Sequence, residues 1–248
     1  MRIIYGINPV AEALRAGSGV EKVLVSRERK DRSVEAVIRA AQSLGVPVEM
    51  TDRAGIERLA GIGKHQGVAA VITGEFEYKD IEDLISVWKS SREPAFFLIL
   101  DSIQDPQNLG SLVRTGCAAG VHGIIIPKDR ASSVTPTVVK ASAGATAHTP
   151  IARETNLVRV IERLKEAGVW ITAVEAGCPK DIYSIDLATD IAIVIGSEGR
   201  GIRRLVRESC DLCAKIPMAG KLNSMNAAQA GAVAMFEVRR QRLGGTFL

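Results

Sequence analysis

The sequence predicts an α/β protein whose larger part is a parallel sheet, preceded by a smaller α/β unit. Three observations carry that expectation. From Ala95 onward, short continuous apolar runs alternate with amphipathic stretches, the pattern of strands buried on both faces and of the helices that cover them. Several of these runs end in turns bearing glycine or proline that lead into a helix, which is where α/β sheets place their ligands. Before residue 74 the same alternation recurs with shorter elements. A charged stretch between them, closing on Ser90-Ser91-Arg92-Glu93-Pro94, reads as a connector. The expected organisation is a domain over 1–74, a linker over 75–94 and a second domain over 95–248.

In the first part, Tyr5-Gly6-Ile7-Asn8-Pro9 sets up a helix, with Asn8 as cap, Pro9 in the first turn and Gly17 as the stop. Val23 to Val25 reads as a strand and Ser33 to Leu44 as a helix with Val34, Val37, Ile38 and Ala41 inward. Val46 to Met50 is a strand, Arg53 to Leu59 a helix, and Val68 to Ile72 a strand. Gly63-Lys64-His65-Gln66-Gly67 is a polar loop between the last two. In the second part, strands are expected at Phe96 to Leu100, Val121 to Ile126, Trp170 to Val174, Ile191 to Ile195 and Cys213 to Met218. Helices are expected at Asn108 to Ala119, Thr137 to Ala143 and Asn156 to Ala167. A further helix follows Gly201, with Ile202, Leu205 and Val206 on one face, and Ser224 is read as the cap of a long final one.

Composition narrows the class. With 248 residues and 46% hydrophobic, the chain is globular; with 4% aromatic residues, its core is aliphatic. A net charge of +4 permits a nucleic-acid partner, bound through charge and backbone more than through base stacking. No apolar run approaches a membrane span and the start lacks a signal-peptide core, so the expected location is cytoplasmic. Of four cysteines, Cys210 and Cys213 are spaced C-x-x-C without a second pair or a nearby histidine. That excludes a zinc site and leaves reduced, partly buried thiols as the expectation.

The chemistry is concentrated in three stretches. Ile191 to Ile195 breaks into Gly196-Ser197-Glu198-Gly199-Arg200-Gly201, whose spacing is not that of a dinucleotide-binding turn. Ile216-Pro217-Met218 and Leu222-Asn223-Ser224-Met225-Asn226 follow, and upstream lies Asp105-Pro106-Gln107-Asn108-Leu109-Gly110 with Arg114. Taken together, these resemble the SpoU (TrmH) family of RNA ribose 2′-O-methyltransferases over at least Phe96 to Arg242, in order and at family-like separations. The Tyr5-Gly6-Ile7-Asn8-Pro9-Val10 and Lys64-His65-Gln66-Gly67-Val68 segments resemble the L30e-like substrate-binding domain attached to many such enzymes.

The resemblance implies a deep trefoil knot in the second domain, where topology rules alone predict an unknotted sheet. It implies S-adenosylmethionine as cofactor, contacted at Gly196, Ile216 and Met225, no metal, and a homodimer. It implies catalytic roles for Arg114, Asn108, Glu198, Ser224 and Asn226. Arg114 would grip phosphate and stabilise the developing alkoxide rather than act as base, because a guanidinium stays protonated. Where relatives often carry serine two residues after the asparagine, this chain has Ala228. Lys64, His65, Lys128, Arg130 and Arg200 are candidate RNA contacts, with Lys140, Arg203 and Arg204 as further basic residues along the path. The expected substrate is a guanosine of 23S rRNA. The alternatives are a tRNA 2′-O-methyltransferase of the same fold, a catalytically silent RNA-binding protein and, further off, a nucleotide-dependent oxidoreductase.

Overall fold

The computed structural model describes residues 2–29, 31–61, 65–220 and 224–244. Contacts divide the chain into two units, Met1–Glu77 with Val134–His148, and Tyr78–Ser133 with Thr149–Leu248. The chain therefore passes between the units three times. Residues 134–148, which lie within the second domain by sequence, pack with the first unit.

The first unit runs β1 (Arg2–Tyr5), α1 (Ile7–Arg15), β2 (Val20–Ser26), α2 (Arg32–Ser43), β3 (Val48–Thr51), α3 (Arg53–Ala60) and β4 (Val68–Ile72). Its sheet has the order β1-β4-β2-β3, with β4 antiparallel to β1 and β2, and β2 parallel to β3. Asn8 is not the cap of α1. Gly6 holds that position at φ +104°, closed to most side chains, and the Ile7 N–H donates to Gln66 Oε1 at 3.2 Å. Gly6 N–H also donates to the Val68 carbonyl. The two segments that carry the substrate-domain resemblance thus close on each other.

The second unit continues with α4 (Ile81–Ser91), β5 (Phe96–Asp101), α5 (Pro106–Ala119) and β6 (Gly123–Pro127). After α6 (Pro136–Ala141), which belongs to the first unit, come β7 (Ile151–Glu154), α7 (Leu157–Glu166), β8 (Trp170–Val174), β9 (Lys180–Asp181), β10 (Ile191–Gly196), α8 (Arg204–Glu208), β11 (Leu212–Lys215) and α9 (Ala227–Arg242). The sheet order is β7-β6-β5-β10-β8-β11-β9, parallel at every pairing. The five expected strands form its body, and β7 and the two-residue β9 add its edges.

Several expectations need correction. Residues 81–91, read as part of a connector, form a helix with a capping box between Asp80 and Asp83, and its Leu84 is fully buried. Gly123 makes that close approach possible, since a Cβ there would overlap the Leu84 side chain. Leu205 is exposed, while Ile202 and Val206 alone turn inward. Asn226, not Ser224, caps the final helix, its Oδ1 accepting from the Ala228 and Gln229 N–H groups at 2.8 and 3.3 Å. Cys178 and Cys213 form a disulfide across a separation of 35 residues, so only Cys117 and Cys210 are free thiols. Burial pushes the Cys210 thiol up to about 12, which keeps it inert.

The small residues of α9 face α5 and β10 within the chain. Gly231 packs against Leu112, where any Cβ would overlap it, and Ala234 and Val238 are fully buried. Gly231→Val should therefore lever α9 off α5 and lower stability by about 1–3 kcal/mol, the range for overpacking a close contact. Urea unfolding of the variant beside wild type checks this; an unchanged midpoint would mean the interface gives way freely.

Candidate active site

The carboxyl ends of β5, β8, β10 and β11 meet where strand order reverses between β5 and β10, the position at which parallel sheets hold ligands. At the end of β10 the chain makes a tight excursion. Ser197 and Gly201 exchange backbone hydrogen bonds at 3.1 and 2.9 Å, with Gly199 and Gly201 at φ +80° and +65°. A Cβ on Gly196 would overlap the backbone of Gly201 and Ile202, and one on Gly201 would overlap the Glu175 carboxylate. The glycines are thus required by the loop's own closure.

Two residues distant in sequence, Asn108 and Asn226, meet Glu198 of this loop. Because Asn226 Oδ1 is committed to the helix N–H groups, its Nδ2 is the end that faces away. It donates to Glu198 Oε1 and, at 3.0 Å, to Asn108 Oδ1. That in turn fixes Asn108, whose Nδ2 donates to the same Glu198 oxygen at 2.9 Å. The Ala227 N–H approaches Glu198 Oε1 as well, at 3.4 Å. The donors converge on Oε1, leaving Oε2 toward the surrounding space.

Glu198 stands between two cavities. The first, about 510 Å³, is lined by Gly196, Ile216 and Met225 together with Glu175, Met218 and Ser224. Among the described residues, its charged lining side chains are Glu175 and Glu198. A nucleoside-sized, acid-lined slot with backbone groups at its strand ends suits a cationic sulfonium with an adenosine attached. The second cavity, about 420 Å³, shares Ser197, Glu198, Gly201 and Ala227 with the first and is lined by Arg130, Arg200 and Arg203, with Asp105 beside them. Arg203 is already engaged, its Nε and backbone N–H donating to the fully buried Asp101 carboxylate at 2.6 and 2.8 Å. Arg204 pairs with Glu208.

The structure brings together Asn108, Glu198, Ser224, Asn226, Gly196, Ile216 and Met225. It does not bring Arg114 to them: that residue is exposed on α5 and lines neither cavity. Six residues from Asn108 is about 120° round a helix, so the two leave α5 in different directions. Lys128 is exposed outside both cavities, and Lys64 lies outside the described residues. Glu175 was not anticipated; its place just beyond β8 at the ligand-binding edge is the signal that could have found it. Its carboxylate accepts from Ile202 N–H at 3.2 Å and from Arg207 at 3.3 Å. Among the described residues there is no cluster of metal-ligating side chains.

Comparison with known proteins gives this geometry a family. The SpoU rRNA Methylase family matches residues 95–236, and a family described as RNA 2′-O ribose methyltransferase substrate binding matches residues 3–78. The chain belongs to the SpoU methyltransferases. It is 41% identical over 239 residues to YacO of Bacillus subtilis, a protein placed by name in the TrmH family of tRNA/rRNA methyltransferases, covering 96% of this chain and 95% of that one. Among solved structures, it is similar to the SpoU methyltransferase AviRb of Streptomyces viridochromogenes bound to S-adenosylmethionine, at a TM-score of 0.80, 25% identity, and coverage of 98% and 91% of the two chains. An S-adenosylmethionine-bound rRNA methyltransferase of Sinorhizobium meliloti aligns at a TM-score of 0.77 and 26% identity, covering 97% and 87%.

This SpoU protein is accordingly an S-adenosylmethionine-dependent RNA methyltransferase. No helix among its described residues is long and apolar enough to cross a membrane. If the acid-lined slot is the cofactor's, Gly196→Val should weaken S-adenosylmethionine binding at least about tenfold, by forcing the loop open at a cost of 1–3 kcal/mol or more. Calorimetric titration of a variant shown to be folded checks this, and an unchanged affinity would move the cofactor elsewhere.

Proposed function

We propose that the protein methylates a ribose 2′-hydroxyl of a guanosine in 23S rRNA, working as a cytoplasmic homodimer with a trefoil-knotted catalytic domain and an L30e-like domain that holds RNA. The observation that carries the chemistry is the shared wall of Glu198, Asn108 and Asn226, with an acidic cavity on one side and an arginine-lined one on the other. When bound, the cofactor supplies an electrophilic methyl group on a sulfonium. Glu198 Oε2 accepts the hydrogen bond of the 2′-hydroxyl and turns its lone pair toward the acidic side. Arg130 and Arg200 hold the flanking phosphates, which position RNA without reading its sequence. A phosphate oxygen or water takes the proton.

Arg114 acts from the second copy of the chain. Its exposure on α5, turned away from Asn108, suits a residue delivered across an interface. An unburied apolar face on the neighbouring α9, with Phe236 and Leu243 exposed, supports that interface. The small residues of α9, Gly231 and Ala234, pack inside the chain and are not part of that face. A fixed guanidinium beside the attacking oxygen is felt mainly as charge develops in the transition state.

Arg114→Ala should lower single-turnover methyl transfer by about 10²-fold or more, the scale of losing one preorganised donor, with S-adenosylmethionine affinity unchanged. Arg114→Lys should rescue only partly, since an ammonium lacks the bidentate fork. Mixed dimers of Arg114→Ala with Gly196→Val should regain activity if the arginine works in trans; mixtures as inactive as either parent would place it in cis. Mapping 2′-O-methyl groups on 23S rRNA and tRNA from a deletion strain identifies the substrate. A site lost from tRNA alone would replace the rRNA assignment.

A further inference from the structure

The first unit holds a cavity of its own, about 500 Å³, lined among the described residues by Ser26, Arg29, Arg53, His65, Gln66 and Lys140, with Glu28 as the acidic one. Lys140 arrives on α6, from the stretch that leaves the second domain's sequence to join this unit, and its Nζ lies 4.9 Å from the centre of the Tyr5 ring. Arg29 is held in place by Asp31 at 2.6 Å and by donation to the Gln66 carbonyl at 2.9 Å. Arg53 approaches Glu57 at 3.3 Å. Among the described residues, Arg29, Arg53 and Lys140 line the cavity together with Glu28.

His65 is the decisive residue. It is 1% exposed, yet its ring nitrogens are not equivalent. The Gly67 N–H donates to Nδ1 at 3.1 Å, so Nδ1 offers its lone pair and the proton of the neutral ring sits on Nε2. Burial, with the charges of Arg53 and Lys140, holds its pKa below the ordinary imidazole value against the opposing pull of Glu57, which favours the neutral ring. Nε2–H is then a buried donor without a hydrogen-bond partner among the described residues; Glu57 Oε1, 3.8 Å away, is too far. Leaving such a donor unsatisfied is costly, and an anionic oxygen would satisfy it.

We propose that this cavity is a phosphoryl-binding site, filled in the working enzyme by a phosphodiester of the substrate RNA. The assignment rests on the reading of the first unit as RNA-holding and names the group it grips. The volume exceeds a lone phosphate and admits a sugar-phosphate unit. Among the described residues no aromatic ring lines it, so capture is through backbone charge and not through base stacking. The loop Gln66-Gly67, pinned to α1 through Ile7 and to β2 through the bond from Ser26 N–H to the Gly67 carbonyl, presents His65 rigidly.

The test uses the full-length protein. Lys140→Gln should weaken RNA binding by about tenfold, the loss of one charge-assisted contact, and reduce the slope of log K against log salt by about 1. Lys140→Arg should restore both, and S-adenosylmethionine affinity should stay at the wild-type value. Arg53→Gln, on a different element, should repeat the slope change if Lys140→Gln fails to fold. In parallel, inorganic phosphate should shift the ¹⁵N resonances of the His65 side chain and the Gly67 amide. A phosphate shift with wild-type RNA affinity and slope in both variants would make the site one for free phosphate and overturn the RNA assignment. No shift and no slope change would overturn the site altogether. If the wild-type protein binds no RNA, the RNA-holding reading fails, while a phosphate shift at His65 still supports a phosphoryl site.

Discussion

A carboxylate with no solvent exposure must find its partners inside the protein, and Asp101 finds them in Arg203. Asp101 closes β5, and its register partner is Gly196 at the end of β10. The two hydrogen bonds it accepts from Arg203 reach across to the segment that follows the glycine loop, so strand end and loop exit are tied at one point. The loop entrance is fixed by the contact between Gly196 and the backbone of Gly201 and Ile202. Its far side is fixed by Glu175 accepting from Ile202. A segment with three glycines, which alone would be mobile, is held from three strands. Glu198 projects from this fixed frame, and that is what allows one exposed carboxylate to serve as a dividing wall.

The two sides of that wall differ in charge for reasons visible in the fold. The acidic side is made by residues beyond β8 and within the loop, the basic side by residues after β6 and at the loop's far end. A cation and an anion brought to opposite sides of one carboxylate meet at short range with their charges already balanced. Surface charges of this kind add little stability. Their value here is orientation, because the carboxamides of Asn108 and Asn226 hold one oxygen and leave the other for a ligand.

Much of this was legible in the sequence, and the rest was hidden for identifiable reasons. Apolar runs such as Phe96 to Leu100 and Ile191 to Ile195 read as strands buried on both faces, and their alternation with helices points to a parallel sheet. The three motif stretches meet because each sits at a strand's carboxyl end or a helix's start. Arg2-Ile3-Ile4-Tyr5 and Ile151-Ala152-Arg153-Glu154, each a four-residue strand at a sheet edge, were not anticipated. The Cys178–Cys213 disulfide joins residues brought together only by the pairing of β8 with β11, whereas the C-x-x-C spacing drew attention to Cys210. The α9 stripe was visible as small residues, but the sequence could not say that Leu112 and Ile195 fill it.

The sequence also could not show that residues 134–148 belong with the first unit, and this changes what the domain boundary means. Val138 is fully buried and Val139 nearly so, in a unit otherwise made of residues 1–77. A protein cut anywhere between 78 and 94 would leave both valines and their helix without a partner, at a cost of about 1.5–3 kcal/mol for each buried aliphatic side chain exposed. The His148–Glu12 pair at 2.7 Å ties the far end of the excursion to α1. The catalytic stretch thus supplies one wall of the unit that precedes it, and Lys140 stands on that wall. Truncation cannot separate RNA holding from catalysis in such an architecture, because removing the first unit also unmakes a segment of the second domain's chain. Point substitutions that leave both folds intact are the means by which the two functions come apart.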